Sequence, residues 1–159
     1  MDGSGTESVV ITTAIKRERN LTLRFLLDAN LVDLGGQAVD ILHLVGSRGA
    51  LARLVLESRG SRYQVALWVM LNNGEEILVG KTNVKRRGAT RLGLEWAQAS
   101  SPGASTGLAR LLKGRKARAE RLDLTNGSLV VRSLEVGLPA GSRGTIAGAL
   151  LFDDILVGR

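Results

Sequence analysis

The chain has 159 residues, 44% of them hydrophobic and 23% charged, with 20 glycines and no cysteine. That is the size of one domain, long enough to bury a core without staples. The missing cysteines exclude disulfide frameworks, thiolate metal sites and cysteine nucleophiles. Twenty-two basic against fifteen acidic residues leave a net charge of +7 and a pI near 10.8. Such a field attracts anionic partners without naming them.

The chain opens on MDGSGTES, which has neither the basic region nor the apolar run of a signal peptide. Residues 1–7 read as a flexible segment and residues 8–159 as a single domain. No stretch approaches the roughly 18 apolar residues of a membrane-spanning helix. The expectation is a soluble, non-transmembrane protein. Its compartment is open, with the cytoplasm favoured by the absence of cysteine.

Period-two alternation dominates from there on. Leu21, Leu23, Phe25 and Leu27 point one way, with Thr22 and Arg24 opposed. Tyr63, Val65, Leu67 and Val69 share a face opposite Gln64, Ala66, Trp68 and Met70. Leu92, Leu94 and Trp96 alternate with Arg91, Gly93 and Glu95. Strands with one buried face have this pattern. Turn signals separate them at Gly35-Gly36, Gly46–Gly49, Ser58–Ser61, Asn72–Gly74, Arg87-Gly88, Asn126-Gly127 and Ala140–Ser142. The prediction is all-β: an antiparallel two-sheet jelly-roll sandwich of about ten to twelve short strands.

Residues 108–121 are rich in helix formers. Leu108, Leu111 and Leu112 would share a helical face, but the stripe ends at Lys116 and Gly114 sits mid-segment. Strand, turn at Lys113-Gly114-Arg115, strand is the preferred reading, and a basic helix is the alternative.

The order of features in the second half resembles the concanavalin A-like, or laminin G-like, jelly-roll superfamily. A Trp-centred strand, Leu94–Ala97, precedes a small-residue loop from Ser100 to Thr106. A strand–turn–strand unit from Gly107 follows, then Val130–Gly137, and a closing strand runs from Gly144 through Phe152-Asp153-Asp154-Ile155. Leu21–Phe25 resembles an early sheet strand of the same fold. The resemblance implies that Phe152 packs between sheets and that a following carboxylate ties a neighbouring loop. Adjacent strand residues face opposite ways, so Asp153 and Asp154 share one site only across a bulge. Relatives often show Val-Asp-Gly at the turn after the Trp strand. Here Leu112-Lys113-Gly114 stands there, which counts against an inherited calcium or sugar site.

Catalytic signatures are scarce. Glycosidases of this fold need two carboxylates flanking the bond, and Glu95 has no acidic residue two positions away on either side. Glu75 and Glu76 follow a turn and are expected in solvent. His43, the only histidine, reads as structural, with Asp40 and Asp33 nearby in sequence. No metal is expected: Asp28, Asn30 and Asp33, or Asn72, Asn73 and Glu75, offer oxygens but no recognised calcium loop. Gly-rich phosphate loops and serine-hydrolase motifs are absent. No cofactor is expected.

The remaining candidates are binding residues. Trp68, opposite Tyr63 and beside Gln64, is the best aromatic for a surface contact. Lys85, Arg86 and Arg87 form one basic run, and Arg115, Lys116 and Arg118 another. Specific nucleic-acid recognition is not expected, because neither stacking aromatics nor a groove-reading helix accompanies these runs. The expected function is a non-catalytic binding or structural module, an accessory subunit docking on a protein or larger assembly through its basic surface. A lectin-like module for an acidic or neutral glycan is the alternative, and a glycoside hydrolase a distant third.

Overall fold

The computed structural model describes residues 10–139 and 146–159. The predicted flexible segment 1–7, the turn signal at Ala140–Ser142, and Gly144-Thr145 lie outside the described residues. Among the described residues the chain forms eleven strands. In order these are β1 (Val10–Glu18), β2 (Asn20–Asp33), β3 (Ala38–Gly46), β4 (Gly49–Arg59), β5 (Arg62–Met70) and β6 (Glu76–Val84). They continue with β7 (Thr90–Ala97), β8 (Gly107–Lys113), β9 (Lys116–Leu124), β10 (Val131–Gly137) and β11 (Ala147–Gly158). No helix among them is long and apolar enough to cross a membrane.

The strands make two antiparallel sheets. One has six strands in the order β1-β10-β3-β4-β5-β6, the other five in the order β11-β2-β7-β8-β9. The apolar alternation places the core between them. Leu21, Leu23, Phe25 and Leu27 of β2 and Leu92, Leu94 and Trp96 of β7 pack against Leu42, Leu44, Leu54, Leu56, Val65 and Leu67 of the six-stranded sheet. Each such side chain contributes about 2 kcal/mol on burial. Tyr63 crosses between the sheets, its hydroxyl donating to the Val32 carbonyl at 2.8 Å. Phe152 stacks obliquely on Phe25, ring centroids 5.9 Å apart. The segment from 107 to 124 is strand–turn–strand: Gly114 takes φ +63°, and its amide donates to the Arg91 carbonyl. The basic helix is excluded there.

Register decides where the turns lie. The β4–β5 turn adjoins the end of β6, because Arg59 faces Arg62 and Tyr63 faces Val84. The β8–β9 turn joins the same end through Lys113 Nζ, which donates to the Asn83 carbonyl at 2.8 Å. The loops at the opposite end are tied by Asn126, which is fully buried. Its Oδ1 accepts from the Ala99 amide at 2.8 Å, and its Nδ2 donates to the Ala97 carbonyl at 3.0 Å. Asn126→Ala leaves a buried amide and a carbonyl unpaired. We expect a loss of about 2–4 kcal/mol in urea unfolding, with the native strand signature retained by circular dichroism.

Candidate functional site

A straight row of opposed residues crosses the outer face of the six-stranded sheet: Thr12, Glu135, His43, Arg53, Trp68 and Leu78, one from each strand. Asp40 joins this face for a local reason. Residues three apart on a regular strand face opposite ways. In β3, however, Asp40 faces Val55 and Leu42 faces Leu54, so Ile41 is an extra residue. The bulge sends both Ile41 and Leu42 into the core and leaves Asp40 and His43 side by side on the outside.

These polar groups are tightly packed although their face is the outer one. Asp40 is 3% exposed and His43 and Arg53 are each 7% exposed. His43 Nε2 lies 2.9 Å from Asp40 Oδ2, and its Nδ1 lies 3.8 Å from Glu135. Arg53 donates from Nη1 to Asp40 Oδ1 at 3.1 Å and clamps Glu76 with Nε and Nη2 at 2.8 and 3.1 Å. Its guanidinium also sits 5.4 Å from the centroid of Trp68. Burial alone pushes the Asp40 carboxyl up. The hydrogen bond with His43 and the charge of Arg53 outweigh it and hold the group below its ordinary 3.8. Burial likewise works against the Arg53 charge, and the bonds to Glu76 and Asp40 prevail.

The aromatic expected at a binding surface, Trp68, is half-buried on this face under Arg53, whereas Trp96 lies wholly in the core. Gln64 is buried, its Nε2 donating to Asn83 Oδ1 at 2.8 Å. It lines an open cavity of about 470 Å³ with Glu57, Ser58, Arg59 and Lys81. Lys81 and Glu57 pair across that cavity. One expectation is corrected: Glu76 is not a free solvated acid beside Glu75, because the opposed strands bring it to Arg53 from 23 residues away. Three of the residues weighed as calcium ligands bond nearby backbone. Asp28, Asp33 and Asn73 each accept an amide two residues on.

The basic runs separate by position. Lys85, Arg86 and Arg87 in the β6–β7 loop and Arg115 and Lys116 at the β8–β9 turn are exposed at one end of the sandwich. Arg59 and Arg62 of the β4–β5 turn, overlooked in the sequence, stand beside them. None of these seven has an acidic partner among the described residues; Arg86 lies over the Tyr63 ring, 5.4 Å from its centroid. Arg118 is also exposed but belongs to a bulge within β9. Basic residues flanking the two runs are paired with acids in three cases: Arg91 with Asp154, Arg110 with Glu95 and Glu120, and Arg121 with Asp123. Tight turns gather these cations, and only the pairing order of strands distant in sequence reveals it.

The two terminal aspartates are both exposed. A bulge lies between Asp153 and Leu156, and Asp154 takes φ +50° there. Asp153 accepts the Asp154 amide at 2.8 Å, and Asp154 pairs with Arg91 at 3.6 Å.

No protein-family model and no curated protein matches the chain in sequence. Solved structures match it in shape. A double mutant of alginate lyase Aly36B in complex with alginate trisaccharide is similar at a TM-score of 0.66 and 7% identity, over 93% of this chain and 73% of that one. The native heptameric SAP-like pentraxin from Limulus polyphemus is similar at 0.63 and 9% identity, over 98% and 72%. Alginate lyase A1-II', of polysaccharide lyase family 7, is similar at 0.60 and 10% identity, over 92% and 64%. The chain has the concanavalin A-like jelly-roll fold. Fold at this identity carries no activity with it.

The buried ion network is open to test. Arg53→Met strands the Asp40 carboxylate beside His43 alone and should cost about 3–5 kcal/mol at neutral pH. Asp40 is depressed in the folded state, so its stabilising contribution is present above 3.8 and lost as pH falls through the lower folded value. The stability gap between wild type and Arg53→Met should therefore narrow below pH 3.8. Urea unfolding across the acid range measures it.

Proposed function

We propose that this chain is a non-catalytic binding module that holds an acidic polysaccharide against the basic end of the sandwich. The observation that carries this is the convergence of Arg59, Arg62, Lys85, Arg86, Arg87, Arg115 and Lys116 from three turns, with no acidic partner for them among the described residues. Unpaired exposed cations in such number raise the local concentration of a polyanion and contribute to holding it.

The surroundings of the patch favour a carbohydrate over other anions. A protein interface builds on an apolar centre, yet of the large exposed hydrophobics among the described residues only Leu31 and Leu151 reach this end, where β2 and β11 run past Thr90, and Ile11, Leu78, Leu122, Leu156 and Val157 lie elsewhere. Single-stranded nucleic acid is held by stacking on free rings, and the one aromatic at this end, Tyr63, is buried beneath Arg86. Alginate, the ligand in one similar structure, is a polyuronate of the matching charge. A binding role without catalysis is supported by the state of the outer-face groups: Asp40, His43, Arg53 and Glu76 are each engaged with one another. The docking of an acidic protein, the expectation drawn first from the sequence, is the competing outcome.

The test compares wild type with Lys85→Glu/Arg87→Glu/Arg115→Glu/Lys116→Glu by calorimetry against alginate, neutral dextran and a poly-glutamate peptide. Wild type should bind alginate more tightly than the peptide and ignore dextran, with affinity falling as salt rises. The quadruple variant, whose changes are all exposed, should lose about a hundredfold in affinity. Tighter binding of the acidic peptide supports the protein-docking reading. Absence of binding, or binding that survives charge reversal, refutes the basic end as the site.

A further inference from the structure

The two flanks of the sandwich differ. On one, β6 and β9 close together: a side chain at Gly80 would meet the Ala119 methyl at 2.4 Å. On the other, β1 and β11 are the terminal strands of their sheets, each paired with one strand among the described residues. Arg159 and Glu18 link them at 3.0 Å. Ile11, Leu31, Leu151, Leu156 and Val157 lie exposed on or next to this open flank.

Strand β11 reads AGALLFDDILVG, twelve residues in which the aspartates are the only charges. At about 3.3 Å per residue its free edge is roughly 40 Å long. A long apolar edge with unpaired amides and carbonyls is a template for another strand, and in solution a second copy of the chain always supplies one.

Both edges are broken in the same manner. Arg17 at φ +36° and Asp154 at φ +50° are the only non-glycine residues with positive φ among those described. One lies in β1, where pairing shifts register between Ala14 and Glu18, and the other in β11, where it shifts between Asp153 and Leu156. Each has a like charge as its neighbour: Lys16 beside Arg17, Asp153 beside Asp154. An L-residue in this region is strained; the β11 bulge keeps Phe152 and Ile155, three residues apart, both against the core, while the four charged side chains at the two bulges lie exposed.

We infer that these charged bulges keep the open flank from pairing with a second copy of the chain. An antiparallel β11–β11 pair overlapping most of the strand brings four carboxylates together at its centre, where like charges opposed across strands destabilise it. The bulge also interrupts the regular row of backbone donors and acceptors at the same point. The aspartates thus guard an edge and take no part in binding.

The experiment removes the guard without touching the core. Deleting Asp154 restores regular pairing of Ile155 with Phe25 and leaves Leu156 opposite Arg24; Asp153→Thr removes the remaining charge. A second, full-length variant, Asp153→Val/Asp154→Val, serves if the deletion does not fold, as judged by circular dichroism. Sedimentation velocity at high micromolar concentration should show wild type as a monomer and a folded variant at twice that mass or more. Asp153→Lys/Asp154→Lys, which keeps like charges at the edge, should remain monomeric. A folded, charge-free variant that stays monomeric overturns the inference. So does a wild type that already self-associates and is dispersed by Leu156→Lys.

Discussion

One extra residue in β3 governs what the outer face of the six-stranded sheet carries. With Ile41 bulged into the core, Asp40 and His43 stand on the same side, within reach of Arg53 on β4 and, through it, Glu76 on β6. Without the bulge, one of the two would point between the sheets, where an ionised carboxylate or an unpaired imidazole is costly. The network spans four strands, the β3–β4 hairpin together with β6 and β10 from farther along the chain. It is therefore a lock on register as well as a set of charges: slipping β4 by one residue would turn Arg53 inward and leave Asp40 without its cation. Trp68 completes the arrangement by lying against the guanidinium, so the one aromatic on this face is partly engaged in holding the sheet's own ions.

The protein's surplus positive charge is then distributed by topology. Arg53, Arg110, Arg121, Lys81 and Arg91 are paired with acids along the strands. The turns at one end carry seven basic residues with no acidic partner among the described residues. A strand can place a cation opposite a cross-strand acid, as Arg110 stands opposite Glu95 and Glu120, whereas a turn has no opposing strand to supply one. The gathering of cations at one end underlies the polyanion-binding reading.

The edges follow a third rule. Flank closure by Gly80 and Ala119 joins β6 to β9 because neither residue has a side chain large enough to hold the sheets apart. The facing flank has no such pair, and it carries exposed apolar residues and charged bulges together. Hydrophobic edge strands and their interruption by charge belong to a single design problem in open sandwiches.

Much of this architecture is legible in the sequence because period two is local. Leu21 to Leu27, Tyr63 to Val69 and Leu92 to Trp96 declare their buried faces residue by residue, and Gly114 marks the turn that displaces a helix. The all-β class and the jelly-roll likeness follow from such runs and their order. Bulges are not legible, since they keep the composition of a strand while reversing its faces: Ile41 and Asp154 look like ordinary members of alternating segments. Nor are pairings across the sheets. Glu76 read as solvated because its partner lies 23 residues away, and Arg59 and Arg62 were passed over because they become neighbours of Lys85 and Arg115 only when β5, β6 and β8 pack. The sequence by itself determined the apolar faces of the regular strands, since those follow from alternation along one strand. The tertiary structure decided which charges meet and which stay free, since that depends on the register between strands far apart in the chain.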